Sequence, residues 1–317
     1  MDGSDSPGVA VPVVRVICGP TAAGKTQAAL QCAALADIVI VSADSRQLYR
    51  GFDIGTAKPS ASERARVPHE GIDVLEPTER ASAAWWADRA DAWIRDALEA
   101  GRVPVVVGGT GLYLRALFGE LFHEPPLDPA RRAMLQAYLG TLELPTLQRW
   151  VTVLDPARAH LGRTQLLRAL EIALLTGRRL SDLHAERRRP PRWRARYLVV
   201  DPGVALARRI SQRTREMFEA GWADEVLALA SRVPSGAPAW NASGYGAVRD
   251  MVQGTTAGAR EATMERVVIE TRQYAKRQRT WFRHQLGAGP VTRLDPEAPG
   301  AGFDLARWFR AGDGSTR

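Results

Sequence analysis

Short, β-branched apolar runs alternate along this chain with longer segments whose apolar positions recur every three to four residues. The run VPVVRVICG (11 to 19) closes on a glycine, and KTQAALQCAALA (25 to 36) follows with helical spacing, which predicts strand, loop and helix. DIVIVSAD (37 to 44), RVPVVVGGTG (102 to 111) and RYLVVD (196 to 201) read as three further strands. The segment from Ser82 to Gly101 has an N-cap serine, a Trp/Ala/Leu face and a terminal glycine, the marks of a helix. Strands alternating with helices predict an α/β fold, a parallel sheet covered on both faces.

From about residue 119 to 195 the strand signal lapses. DPARRAMLQAYLG, LPTLQRWV, TQLLRALEIALLTG and LSDLHAERRR read as arginine-rich helices. A parallel crossover needs roughly a dozen residues, so the excess is an insertion. The expected organisation is an α/β core at 11–118 and 196–317, interrupted by a helical insertion at 119–195. Beyond Asp201 the pattern is helical again, in ALARRISQRTREMFEAG and in the long EATMERVVIETRQYAKRQRTWFRHQ. The ends, 1–9 and 312–317, are expected to be disordered.

Composition changes this picture little, and charge changes it more. Hydrophobic residues make up 45% of the 317 and charged residues 25%, ordinary values for a globular chain. No apolar run approaches the roughly 18 residues of a membrane span, and no export leader is visible, so a cytoplasmic location without membrane contact is expected. The two cysteines, Cys18 and Cys32, exclude a cysteine-rich zinc module, and Cys18 reads as a small core residue ending a strand. Net charge is +8, but residues 119–196 alone hold fourteen arginines against eight acidic residues, and 264–285 six basic against two acidic. Basicity gathered in two blocks points to a polyanion, RNA or DNA. Only Lys25, Lys58 and Lys276 are lysines among 43 basic residues. Lys25 sits where a compact ammonium is wanted, while the other two carry no such reading.

The candidate chemistry starts at Gly19-Pro20-Thr21-Ala22-Ala23-Gly24-Lys25-Thr26, which fits G-x-x-x-x-G-K-[ST] between a strand and a helix. Its glycines let backbone N–H groups wrap an anion, the helix start adds positive charge, Lys25 reaches terminal phosphates, and the Thr26 hydroxyl suits Mg²⁺. The motif implies a P-loop NTPase-like core and a gripped polyphosphate, without saying which one. Asp44, at the carboxyl end of a strand, is open to three readings: metal ligand, general base or helix N-cap. Thr110, after VVVGGTG, reads either as a hydroxyl for phosphates or as the cap of a tight turn. Arg209 and Arg213 share a helix face and suit a diphosphate. Arg272, Lys276, Arg279 and Arg283 form a basic stripe at i, i+4, i+7, i+11, with Val267, Thr271, Tyr274 and Trp281 roughly opposed and expected in the core. His69, His123, His160, His184 and His284 show no metal-ligand spacing.

Taken in order, GPTAAGKT, VSADSRQLY, FDIGTAKP, PHEGIDVLEPTE, VGGTGLYLRAL, RALEIALLTGR, GWADEV and AKRQRTWFR resemble the tRNA dimethylallyltransferase family over residues 13 to 285. The resemblance implies transfer of a dimethylallyl group from dimethylallyl diphosphate, with Mg²⁺, to N6 of adenosine 37 in the anticodon stem-loop of tRNA. It implies a diphosphate leaving group in the phosphate loop, Asp44 as general base, and Thr21, Lys25, Thr26, Thr110 and Arg213 around the developing charge. It places tRNA contacts at Asp44, Ser45, Arg46, Gln47, Thr110, Arg132, Thr164, Gln165, Arg168, Asn241, Gly244, Tyr245, Lys276, Arg277, Arg279, Trp281 and Arg283. The chain departs from the family pattern at Gln165, where an arginine is common, and at Gly246, where a long polar residue is. The resemblance also implies a monomer of bacterial type, with the insertion as the anticodon-binding domain. The loop alone would equally serve a P-loop kinase of a nucleotide or small metabolite.

Overall fold

The apolar runs become strands buried on both faces. The computed structural model describes residues 12–119, 125, 127–186, 191–254 and 260–311. In chain order the elements are β1 (Val13–Cys18), α1 (Lys25–Cys32), β2 (Ile38–Ser42), α2 (Ala61–Arg66), β3 (His69–Glu70), α3 (Ala83–Glu99), β4 (Val103–Gly108), α4 (Gly111–Phe118), α5 (Pro129–Thr141), α6 (Leu144–Leu154), α7 (Arg163–Thr176), α8 (Leu180–Glu186), β5 (Arg194–Val200), α9 (Leu206–Glu219), α10 (Trp222–Ala230), α11 (Tyr245–Val252), α12 (Arg260–His284), β6 (Val291–Leu294) and α13 (Ala301–Arg310). The chain divides into two units, Met1–Gly119 with Pro191–Arg317, and Glu120–Pro190.

The first unit is built on one sheet in the order β3-β2-β4-β1-β5-β6, every neighbouring pair parallel. Ile17, Ile40, Val105, Leu198 and Val200 pack on one face with Ala28, Ala29 and Leu30 of α1 and with Leu305, Trp308 and Phe309 of α13. Alternate positions Val16, Val39, Val41 and Val106 are equally buried on the other face. There Trp86 of α3 stacks on Tyr113 of α4 at 4.7 Å and donates its indole N–H to the Ser42 carbonyl at 3.0 Å. Burial on both faces is why these strands read as continuous apolar runs. The capping expected for α3 is present, with Ser82 Oγ accepting from the Trp85 N–H at 3.0 Å.

Register fixes what the sheet delivers. Cys18 lies level with Gly108 and with Val199, and Ser42 level with Val107. The phosphate loop, Asp44 and the Gly109–Thr110 turn therefore all leave the same carboxyl edge, where open α/β sheets bind ligands. Gly19 makes the first turn at φ +143°, and a Cβ there would lie 2.1 Å from the Val200 carbonyl oxygen, so only glycine lets the loop pass β5.

The sheet is larger than the apolar pattern foretells. β3 is two polar residues and β6 is the short, largely exposed VTRL, so neither edge strand needs an apolar run. β5 begins at Arg194, inside the stretch read as insertion, and α1 gives way to turns after Cys32, short of the expected Ala36. The expected helix LSDLHAERRR is present as Leu180–Glu186, while 187–189, like His123 and both chain ends, lie outside the described residues.

In the second unit α5, α6 and α7 close on Leu139, Leu147, Val151, Leu166, Ala169 and Leu170. Buried beside them, Glu171 accepts from the Gln136 amide at 3.1 Å and pairs with both Arg132 and Arg168.

Lys58 proves to be a structural ammonium. Its side chain is 2% exposed, and Nζ donates to the Tyr49 carbonyl (2.5 Å), Asp53 Oδ1 (2.6 Å) and Asp73 Oδ1 (2.5 Å). Three converging acceptors suit a rotatable ammonium better than a planar fork. Burial pushes the Asp73 carboxyl up, but its hydrogen bonds from Lys58 and Arg64 outweigh this and hold it below its ordinary value. Replacing Lys58 by Met should lower the unfolding free energy by about 2–4 kcal/mol in denaturant titration at pH 7, because the partners keep their charge. Lys58→Arg should not restore it. Since the folded-state value of Asp73 is depressed, its share of stability is present above pH ~4 and lost as pH falls through that lowered value.

Candidate active site

The phosphate loop alternates left-handed and ordinary residues, with Ala22 at φ +61° and Gly24 at +99° as the N-cap of α1. Such alternation turns successive N–H groups toward one concavity. The N–H groups of Lys25 and Thr26 open α1 and have no intrahelical acceptor, so they add to that anion nest. Beside the loop lies a cavity of about 550 Å³ lined by, among others, Thr21, Lys25, Thr26, Asp44, Arg46, Gln47, Arg213, Asn241, Tyr274 and Arg277.

Two cations face one carboxylate across this space. Burial, with the nearby Arg213 guanidinium adding to it, pushes the Lys25 ammonium down to about 8, against the pull of Asp44. Burial likewise lowers Arg213 below the ordinary guanidinium range, and Asp44 again opposes the shift. Lys25 Nζ donates to the Pro20 carbonyl at 2.8 Å, and Arg213 Nη1 donates to Thr21 Oγ1 at 3.4 Å. Asp44 Oδ1 accepts from the Arg46 N–H at 2.9 Å, and the segment after it is a series of turns, so the helix-cap reading falls away. Asp44 also acts on Tyr274, whose hydroxyl burial first, and that carboxylate next, push up to about 12. Burial raises the Cys18 thiol to about 12 as well, which keeps it an inert core group.

Other expected residues serve the frame of the site. Thr110 Oγ1 accepts the Ser45 N–H at 3.0 Å, so its hydroxyl oxygen ties β2 to the β4 turn. It sits at the N-cap position of α4 without a side-chain capping bond, so the capping reading fails. Arg209 donates Nε to the Ala22 carbonyl at 2.9 Å and pairs with Glu297 at 3.2 Å, bracing the loop from outside. The Gln47 amide reaches the Thr56 and Ala57 carbonyls at 3.3 and 3.1 Å. Tyr245, expected at RNA, is fully buried, its hydroxyl donating to Glu225 at 2.6 Å and accepting from the Gly55 N–H at 3.1 Å. Gly244 lies at φ +84° over Trp222, where a Cβ would come within 2.5 Å of the ring.

The basic stripe of α12 divides. Arg279 is held by Asp201 and the Gly203 carbonyl, and Arg272 donates to Ser211 Oγ at 3.1 Å. Lys276, Arg277 and Arg283 are exposed, with Arg277 lying 5.8 Å from the Tyr274 ring centre. Trp281 packs edge-on to Phe282 and covers Gly111, where a Cβ would come within 2.2 Å of the indole. In the second unit Thr164 and Gln165 are exposed at the start of α7, whereas Arg132 and Arg168 share Glu171. Among the described residues no three His, Cys, Asp or Glu side chains cluster, so a divalent ion here would share its coordination with ligand oxygens and water.

Two residues escaped sequence reasoning. Glu225 takes the Asp53 and Ile54 N–H groups at 3.1 and 2.7 Å and so pins the FDIGTAKP loop. Gln278 accepts the Thr21 N–H at 2.8 Å and donates to the Gly109 carbonyl at 2.8 Å, joining two turns of the carboxyl edge. A signal for Gln278 exists: it is the one amide in the buried stripe Val267, Ala275, Gln278, Phe282.

Comparison with known proteins fits this geometry. A family model described as IPP transferase matches residues 47–285. A tRNA dimethylallyltransferase of Deinococcus radiodurans is 40% identical over 290 residues, 88% of this chain and 92% of that protein. One from Anaeromyxobacter sp. (strain Fw109-5) is 44% identical over 282 residues, 86% and 92% of the two chains. The crystal structure of the full-length tRNA isopentenylpyrophosphate transferase from Bacillus halodurans superposes with a TM-score of 0.66 at 31% identity, covering 94% of this chain and 95% of that one. A eukaryotic dimethylallyltransferase acting on tRNA gives 0.76 at 25% identity, covering 94% and 75%. A parallel sheet delivering a phosphate loop, an aspartate and a glycine turn to one edge, joined to likeness over most of the sequence, makes this chain a member of the IPP transferase family.

Proposed function

We propose that this protein transfers the dimethylallyl group of dimethylallyl diphosphate to N6 of the adenosine 3′ of the anticodon, at position 37 of tRNA. The observation that carries the reading is the opposition of Lys25 and Arg213 to Asp44 around one cavity beside the phosphate loop. A kinase needs the first half of that arrangement, but the relatives named above are tRNA prenyl transferases, and the two basic blocks have no use in a kinase.

The chemistry follows from the charges. The N6 lone pair forms the new C–N bond to the allylic carbon while the C–O bond breaks, its electron pair leaving with the diphosphate. Asp44 takes the N6 proton, which raises the nucleophilicity of a nitrogen whose lone pair is delocalised into the ring. The loop N–H groups, Lys25 and Arg213 stabilise the negative charge that grows on the diphosphate. Mg²⁺, which the Thr26 hydroxyl and diphosphate oxygens would hold, would neutralise part of that charge. The base must leave its stack to enter the cavity, and Asn241, Tyr274 and Arg277 line the wall there. On the RNA side we assign backbone contacts to Lys276, Arg277 and Arg283, and to Thr164, Gln165 and the Arg132–Arg168 pair of the helical unit. Arg279, Tyr245 and Trp281 support these contacts from within the fold. The same reading has the protein acting in the cytoplasm as a monomer.

Labelled donor, Mg²⁺ and an anticodon stem-loop carrying adenosines after the anticodon should give labelled RNA, and the absence of label in every such RNA would contradict the reading. Asp44→Ala should keep stem-loop affinity within about twofold while lowering transfer by roughly 10²–10⁴, the range of a lost general base. Lys25 should impose a pH limit. Its free-cavity value is about 8 and a bound diphosphate raises it, so binding above that pH requires proton uptake. kcat/KM for the donor should therefore be nearly level up to pH ~7, be about halved near pH 8 and fall toward tenfold per pH unit above it. Lys25→Met should be lower throughout and lack that limb. Single Lys276→Ala and Arg283→Ala changes should each reduce the salt slope of stem-loop binding by about one. Unchanged slopes would remove these two residues from the interface.

A further inference from the structure

One peptide of the phosphate loop is bonded at both ends. The Pro20–Thr21 unit donates its N–H to Gln278 Oε1 at 2.8 Å and offers its carbonyl to Lys25 Nζ at 2.8 Å. Both groups belong to one planar amide, so a partner that fixes the N–H also fixes where the carbonyl points. Gln278 is itself tightly set. Its Nε2 donates to the Gly109 carbonyl at 2.8 Å, it is 7% exposed, and a Cβ at Gly109 would lie 2.4 Å from that nitrogen. A flipped side-chain amide would set NH₂ against the Thr21 N–H and oxygen against the Gly109 carbonyl, two repulsive contacts, so only one orientation is stable.

We propose that Gln278 is the positioning residue of the phosphate loop: by gripping the Thr21 N–H it turns the Pro20 carbonyl so that it seats the Lys25 ammonium at the cavity wall. The inference rests on the reading of this loop as a diphosphate cradle. The remaining bond to the same carbonyl, from the Ala23 N–H at 3.3 Å, is longer and lies within the loop, so it turns with the loop and cannot anchor it. Gln278 ties the loop to a separate element, the turn after β4, through α12. Without that tie the peptide is free to rotate, Lys25 loses its seat, and the cavity presents a poorly ordered cation to the donor. Arg277, the neighbour that lines the cavity, and the exposed Lys276 stay in place, so RNA binding does not depend on this amide.

Gln278→Met keeps the length of the side chain and removes both bonds, while Gln278→Glu keeps an acceptor for the Thr21 N–H. Three quantities are read: pyrophosphate affinity with Mg²⁺ by calorimetry, donor KM, and stem-loop affinity. In Gln278→Met the first should weaken and the second rise by about tenfold, the scale of a lost buried hydrogen bond. The third should change less than about twofold. Gln278→Glu should recover part of the donor KM despite its charge. In the unsubstituted protein without ligand, the Thr21 amide should exchange its hydrogen slowly, a readout that needs no variant to fold. An unprotected Thr21 amide, or a folded Gln278→Met protein with unchanged pyrophosphate affinity and donor KM, would overturn the proposal. Failure of the unsubstituted protein to bind pyrophosphate would instead count against the diphosphate reading itself.

Discussion

Parallel pairing is the constraint on which the rest of the structure depends. Because β1, β2, β4 and β5 run the same way and end nearly level, whatever follows each strand emerges at one edge. Residues 19–26, 44, 109–110 and 201, distant in sequence, become neighbours without any needing to find the others. The same geometry demands two covered faces, which explains the investment in Trp86, Tyr113 and Trp93 on one side and in α1 and α13 on the other. Sheet and site are therefore one design problem: the apolar runs that fill the core are the runs that place the loop.

Within that frame the site gathers two half-buried cations and one carboxylate. Lys25 and Arg213 are near each other and poorly solvated, and Asp44 compensates them only in part. In the proposed reaction both cations would face the diphosphate, where charge grows on the leaving group. Hydrogen bonds from backbone N–H groups carry the positioning. Gln278 holds the loop, Thr110 holds Ser45 beside Asp44, and Glu225 holds the 53–55 turn. Thr110, Arg209, Tyr245 and Arg279 each bond to protein groups around the site.

What could be read from sequence follows from how local each signal is. The four long strands, the phosphate loop and the capped helix at Ser82 are written in contiguous residues, and each appears where expected. β3 and β6 are short and held by pairing with their neighbours, Leu294 being the buried residue of β6, so they leave no periodic trace. Lys58 and Gln278 fail for a related reason. Their roles are set by partners up to 257 residues away, which neither a lone lysine nor an amide on a buried helix face identifies. The stripe on α12 shows the intermediate case: of the positions expected in the core Val267 is buried while Thr271, Tyr274 and Trp281 are only half-buried, and spacing cannot tell that Asp201 claims Arg279 while Arg283 stays exposed.

In the proposed reaction Gly19 to Thr26 cradle a diphosphate that leaves intact. The most direct measurement follows a donor labelled in both the prenyl carbon and the phosphorus, with stem-loop RNA and no nucleoside triphosphate present. The account predicts one intact diphosphate released for each prenyl group found on RNA. Release of orthophosphate, or a requirement for ATP, would contradict it.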